Sequence, residues 1–219
     1  MPDKLNEVET RIVGALVEKQ LTTPEYYPLT LNSLVTACNQ KNNREPVVAY
    51  NESTVSGAIE NLRDRNLVYI FYGSTSRVPK YKHMLPSVYE LDPAGTAVMC
   101  VMMLRGPQTL GELRGRTERL HQFEGLGEVQ ATLDALIRRD PPMVFKIERQ
   151  PGQKEARFAH LLAGDVDIEA FTLAQTAARG ARENPGAERL DNLEREISEL
   201  RAEVAELRAS VEEFKKQFE

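Results

Sequence analysis

Three segments of the chain recur in the same order further along it, and this internal repeat most constrains the fold. Residues 30–34 (TLNSL) match 109–113 (TLGEL), 55–65 (VSGAIENLRDR) match 129–139 (VQATLDALIRR), and 80–85 (KYKHML) match 157–162 (RFAHLL). The offsets are 79, 74 and 77 residues, so the spacing is nearly constant. A repeat of this kind divides the chain into similar structural units, so it constrains every other prediction about the fold.

Each copy is predicted to contain a helix followed by a two-stranded ribbon. Val55, Ala58, Ile59 and Leu62 have helical spacing, and residues 67–72 (LVYIFY) and 77–83 (RVPKYKH) flank a polar turn. A helix and ribbon in this order form the second half of a winged helix. The predicted fold is therefore mainly α with small β-ribbons: two tandem winged-helix domains (1–90 and 91–165), a linker (166–187) and a C-terminal coiled-coil helix (188–219).

Local signals give further expectations for individual elements. Asn6 and Glu9 predict a capping box at the first helix, Thr30 caps a second helix, and Asp92-Pro93 and Thr109 begin two more. The apolar run 97–104 (AVMCVMML) predicts a buried helix that is too short to cross a bilayer. Three further expectations are an extended segment at 26–29, a possible strand at 87–91, and an edge position for the ribbon strand that contains Pro79.

The C-terminal region carries apolar residues that alternate three and four positions apart. This is the heptad seam of a coiled coil, with β-branched residues at a and leucine at d, which favours a parallel pair of chains. Charged residues at the e and g positions are also complementary between parallel chains. We therefore predict a homodimer, against the alternative that this helix folds back on its own domain. The predicted dimerisation residues are Leu193, Ile197, Leu200, Val204, Leu207, Val211 and Phe214.

Charge is distributed unevenly along the chain. Residues 1–90 and 91–166 each carry 10 basic and 10 acidic residues, whereas residues 167–219 carry 8 and 13 and account for the net charge of -5. Neutral domains argue against strong binding driven by phosphate contacts alone. With no secretory signal and two cysteines in predicted helices, we expect a cytoplasmic protein without disulfides, membrane contact, metal or cofactor.

Several longer motifs resemble those of the YceH-like family of uncharacterised bacterial proteins. In the first copy they are residues 16–20 (LVEKQ), 22–24 (TTP), 27–30 (YPLT), 37–41 (ACNQK) and 43–47 (NREPV), with Arg77, Lys80 and Tyr81; in the second they are 104–106 (LRG), 108–109 (QT), 111–114 (GELR) and 160–161 (HL). The resemblance covers about residues 4–165. It implies a tandem winged-helix fold and brings no established activity.

Two segments are candidates for contact with DNA. The polar loop after the second helix combines amides that can read adenine with cations that can bind guanine or phosphate, namely Asn39, Gln40, Lys41, Asn43 and Arg44. The alternative is that these side chains hold a long loop together. The first wing offers Arg77, Lys80 and Lys82, which either sit on phosphates or protect a strand edge. The basic residues of the second wing (Lys146, Arg149, Lys154, Arg157) are expected to be ordinary surface charges.

The helix at 51–64 is acidic for a recognition helix, and Ser53, Ser56 and Asn61 are its expected contacts if it meets DNA. The cysteine and histidine spacing fits no zinc site or nucleophile, so an enzyme is not expected. Two functions remain: a dimeric protein, possibly a transcriptional regulator, that binds double-stranded DNA, or a winged-helix adaptor that binds a protein partner. The two functions are distinguished by whether the chain binds duplex DNA with an affinity that falls steeply as the salt concentration rises.

Overall fold

The computed structural model of the chain describes residues 4–72, 78–149 and 155–164. Within these ranges the fold is mainly helical with two small antiparallel sheets. The helices are α1 (Glu7–Thr22), α2 (Leu31–Cys38), α3 (Glu52–Asp64), α4 (Leu85–Tyr89), α5 (Pro93–Arg105), α6 (Leu110–Thr117) and α7 (Leu126–Ile137). The strands are β1 (Leu29–Thr30), β2 (Val68–Phe71), β3 (Lys80–His83), β4 (Val144–Ile147) and β5 (Arg157–His160).

The predicted helix starts are confirmed. Asn6 and Glu9 cap α1 reciprocally through bonds of 2.9 Å, and each satisfies a backbone N–H of the other that the first turn leaves unpaired. Thr30 caps α2, Asp92 caps α5, and Thr109 forms the second capping box, with α6. These local signals lie within four residues of each helix end, which is why the sequence alone identifies them.

The first sheet corrects the prediction for the strand near Pro79. Its strand order is β1-β3-β2, with Leu29 opposite Tyr81 and Val68 opposite His83. The strand that was expected at the edge is therefore central. Pro79 lies just before β3 and removes no ladder hydrogen bond, so it places no limit on that strand. Residues Pro24–Tyr26 form a turn of 3₁₀-helix, so the predicted extended segment begins too early.

The predicted strand at 87–91 is wrong, because this segment begins within helix α4. Pro86 lies in the first turn of α4, where a missing backbone N–H costs nothing. Glu90 ends the helix in the left-handed conformation, with φ of 49°. Leu91 then leads to Asp92 and the start of α5, so α4 connects the two halves of the fold.

Helix α5 is buried on all sides and serves two hydrophobic cores. Cys100, Met103 and Leu104 join the core formed by residues 5–85, whereas Met99 and Met102 join the core of the following elements. Gly14 makes the contact with α1 possible, because a Cβ atom there would lie 2.9 Å from the Cδ2 atom of Leu104. The apolar run predicted to be a buried helix is confirmed.

The second half repeats the order of elements found in the first. Helix α5 is followed by α6, α7 and the β4–β5 pair, as α1 is followed by α2, α3 and the β2–β3 pair. Gln108 forms an isolated antiparallel bridge with Phe158 before α6, and Leu29 pairs with Tyr81 before α2. The predicted linker (166–187) and coiled-coil helix (188–219) lie outside the described residues. No helix in the described ranges combines the length and apolar character needed to cross a bilayer.

Candidate nucleic-acid interface

Asn39 holds the two ends of the polar loop together. Its Nδ2 atom donates to the carbonyl oxygen of Tyr50 and its Oδ1 atom accepts from the N–H of the same residue, both at 2.8 Å. This pair of bonds imitates a strand ladder between residues that are eleven positions apart. The side chain proposed to read adenine is thus engaged with the backbone that leads into α3.

Arg44 is buried in an ion pair with Glu18 of α1. Its Nη2 and Nη1 atoms lie 2.6 and 3.1 Å from the two carboxylate oxygens, and the Arg44 side chain is 0 % exposed. The same guanidinium donates to the carbonyl oxygen of Ala37 and to Oε1 of Gln40. A guanidinium with these partners is not available to a phosphate, so its placement favours the interpretation that the loop side chains hold the loop.

The remaining loop residues connect this segment to α5. Asn43 adopts φ of 61° and accepts a hydrogen bond from Arg105, and the N–H of Glu45 donates to the carbonyl oxygen of Leu104 at 2.9 Å. Lys41 is exposed at the top of the loop. Four of the five loop candidates therefore have side-chain partners within the described part of the fold, namely Asn39, Gln40, Asn43 and Arg44.

Helix α3 presents a polar and partly acidic outer face. Ser53 and Asn61 are exposed, whereas Ser56 is half-buried. Ser53 donates through its Oγ atom to Oδ1 of the cap residue Asn51 at 2.8 Å. The exposed face also carries three carboxylates, at Glu52, Glu60 and Asp64, which would repel phosphates.

The outer face of the first sheet combines aromatic rings with lysines. Tyr69 and Phe71 of β2 are 57 % and 44 % exposed. Lys82 lies opposite Tyr69 and Lys80 lies opposite Phe71 in the β2–β3 register. The Nζ atom of Lys82 is 5.6 Å from the centre of the Tyr69 ring, within the range of a cation–π interaction. We call these four side chains the aromatic–lysine face.

Sequence analysis identified the lysines of this face and missed its aromatic residues. The signal was present in residues 67–72, because Val68 and Ile70 alternate with Tyr69 and Phe71. Since successive side chains of a strand point to opposite faces, burial of one set exposes the other. Arg77, the third cation proposed for this wing, lies outside the described residues.

Two cations of the second sheet form ion pairs with carboxylates. Arg157 is half-buried and donates through Nη1 to Oε2 of Glu112 at 2.7 Å. Lys146 lies 3.0 Å from the carboxylate of Glu148 on the surface. Lys154 lies outside the described residues. The exposed pair of Lys146 agrees with the prediction of ordinary surface charge for the second wing, whereas the half-buried Arg157 differs from it.

Both cysteines are buried in the first core and remain protonated at neutral pH. Burial raises the pKa of Cys38 to about 12, and burial also raises the pKa of Cys100. A thiol whose pKa is raised by burial is a poor nucleophile, because the reactive form is the thiolate. Neither side chain therefore resembles a catalytic cysteine.

Comparison with known proteins places the chain in a family. The model of the family described as "Protein of unknown function, DUF480" matches residues 5–153. The chain belongs to the DUF480 family. A UPF0502 protein of Geobacter sulfurreducens is 52 % identical over 218 residues, which cover 98 % of each chain. One of Citrifermentans bemidjiense is 51 % identical over the full length of both chains, and one of Opitutus terrae is 50 % identical over 90 % of this chain and 83 % of the relative.

The resemblance to an uncharacterised bacterial family is thereby confirmed. The names of these UPF0502 relatives state no activity, ligand or partner. Function has to be argued from the surface of the fold, since a fold by itself does not determine function.

Proposed function

We propose that the chain consists of two winged-helix domains, 1–90 and 91–165, and that the first binds double-stranded DNA. The repeated element order supports the two-domain interpretation, as does the agreement between the β1–β3 pairing and the bridge between Gln108 and Phe158. These two pairings are related by offsets of 79 and 77 residues, close to those of the sequence repeat.

The aromatic–lysine face is the observation that carries the DNA-binding proposal. Lysines on a wing bind phosphates, whereas exposed rings pack against sugars or bases. Lys80 and Lys82 lie on the central strand β3, so a rigid sheet fixes their positions. Because α3 supplies an acidic outer face, affinity for DNA rests mainly on the wing, and Ser53 and Asn61 serve as polar contacts in the groove.

Replacing both lysines of the wing should weaken DNA binding and flatten its salt dependence. For the variant Lys80→Gln/Lys82→Gln, we expect the slope of log K against log salt to fall by about 2, since each neutralised phosphate contributes about 0.9. Fluorescence anisotropy with a labelled random duplex across a salt series measures the slope. Thermal unfolding of the same variant checks that the fold is retained.

The second wing provides a matched control. Lys146→Gln/Arg149→Gln removes the same charge from exposed positions of the second half and should leave the slope nearly unchanged. Equal losses in the two variants would contradict a specific role for the first wing. Absence of duplex binding even at low salt would exclude the DNA proposal.

A protein partner is the second candidate, and the charge of α3 favours it. Glu52, Glu60 and Asp64 expose carboxylates on α3, and the chain also exposes the rings of Tyr69 and Tyr72. Aromatic residues are enriched in protein interfaces, whereas carboxylates oppose contact with DNA. The duplex titration decides between the two functions, since an adaptor requires no affinity for DNA.

We also propose that two copies of the chain pair through residues 188–219, which lie outside the described residues. Light scattering should give twice the chain mass of 24.7 kDa. Replacing the d-position residues, Leu200→Ala/Leu207→Ala, should lower the mass toward that of a monomer, because these leucines form the proposed seam. Glu199→Gln, outside the seam, is the control. A mass of one chain at all concentrations of the unaltered protein would refute the pairing.

A further inference from the structure

A polar cleft of about 340 Å³ opens where the ends of α1, α5 and α6 meet the loop at 40–43. Among the described residues that line it, Glu18 alone is acidic, and its carboxylate already binds Arg44. The cleft therefore has a clear excess of positive charge. Its cationic residues are Lys19, Lys41, Arg105, Arg116 and Arg119.

Two of these arginines are held in position by the fold. Arg105 donates to Oδ1 of Asn43, and Arg116 donates to Oε1 of Gln108. The Nη2 atom of Arg116 also lies 3.5 Å from Oε1 of Glu112. Side chains that are fixed before binding lose less conformational entropy when they engage a ligand.

The positive charges also act on one another. Burial, and then the charge of Arg116, lower the pKa of Arg105 from its usual value, whereas the charges of Glu18 and Glu45 act in the opposite direction. Arg105 and Arg116 therefore repel each other within the half-buried cleft, and an anion bound between them would offset that repulsion.

We infer that this cleft binds a small ligand carrying a phosphate group. Its volume falls at the lower end of the range for small-molecule sites. Guanidinium groups recognise phosphate oxygens through paired, charge-assisted hydrogen bonds, and lysines add point charges. Neither Lys80 nor Lys82 lines the cleft, so this site is separate from the aromatic–lysine face and does not depend on DNA binding.

Calorimetric titration of the full chain with pyrophosphate, at constant ionic strength, tests the inference. We expect saturable binding of one pyrophosphate per chain. Arg119→Gln and Lys41→Gln remove exposed cations of the cleft, so they should leave the fold intact and each weaken binding about tenfold or more. Arg114→Gln is the matched control, because Arg114 is an exposed cation of α6 that lines a separate hollow.

Each alternative result overturns the inference. Without saturable binding of pyrophosphate there is no such site. An equal loss in Arg114→Gln would mean that net charge, and not the cleft, attracts the anion. Tighter binding of citrate than of pyrophosphate would reject the phosphate class. The variant Lys80→Gln/Lys82→Gln should bind pyrophosphate normally, so failure of the DNA proposal and failure of this one are distinguishable.

Discussion

Replacing Arg44 with methionine should lower the free energy of unfolding by about 3–5 kcal/mol, the usual cost of removing one partner of a buried ion pair. The variant leaves the carboxylate of Glu18 at 11 % side-chain exposure without the guanidinium that neutralises it. It also deprives the carbonyl oxygen of Ala37 of two donors. Urea denaturation measures the change, provided that the slope of the unfolding free energy against urea concentration is the same in both proteins.

Two comparisons isolate the buried charge as the cause. The double variant Glu18→Gln/Arg44→Met removes both charges and should be more stable than Arg44→Met alone. Lys146→Met breaks the exposed pair with Glu148 and should cost about 1 kcal/mol or less. If Arg44→Met and Lys146→Met had similar effects, the ion pair with Glu18 would not stabilise the loop.

Lowering the pH from 8 to 5 should destabilise the fold by about 2 kcal/mol for each of two histidines, the buried His83 and the half-buried His160. Burial lowers the pKa of both to about 4, and the charge of Lys82 contributes at His83. The unfolded chain binds these protons near pH 6.5, before the folded chain does. Stability therefore falls as the pH drops below 6.5, and the loss levels off only below pH 4.

The surroundings of the rings explain why protonation is resisted. The Nδ1 atom of His83 accepts from the N–H of Leu85 at 3.3 Å, which places the proton on Nε2, facing Oε1 of Gln20. A second proton on Nδ1 would break the bond with Leu85. His160 is half-buried as a residue, but its Nδ1 atom is buried without a hydrogen-bond partner.

Denaturation at several pH values, in variants of each histidine, tests this expectation. His83→Gln/His160→Gln should remove most of the loss between pH 8 and pH 5. His121→Gln is the control, because its ring lies 3.9 Å from the carboxylate of Glu128 and is 27 % exposed. If the double variant kept the full pH dependence, other groups would be responsible for it.

The sequence predicted the features of this fold that depend on neighbouring residues. Asn6 with Glu9, and Thr109 with Glu112, are complete signals within four positions. The order of the first sheet was not predictable in this way. A strand of two residues, Leu29–Thr30, has no periodicity to detect, and it pairs with residues about fifty positions away. The edge position inferred from Pro79 was therefore wrong.

The site shows the same division between local and distant information. The composition of the loop allowed either contact with DNA or a structural role for Arg44. What distinguishes them is the carboxylate of Glu18, 26 positions earlier on another helix. Conversely, the exposure of Tyr69 and Phe71 follows from the alternation within their own strand, so this part of the surface was predictable.

The contact of Gly14 with Leu104 limits how far the chain can be truncated for expression. Since α5 completes the core around α1, a fragment that stops before residue 91 would expose an apolar groove to water. Such a truncated gene product would tend to aggregate. The two similar halves have become mutually dependent, so the smallest portion suitable for expression must contain both.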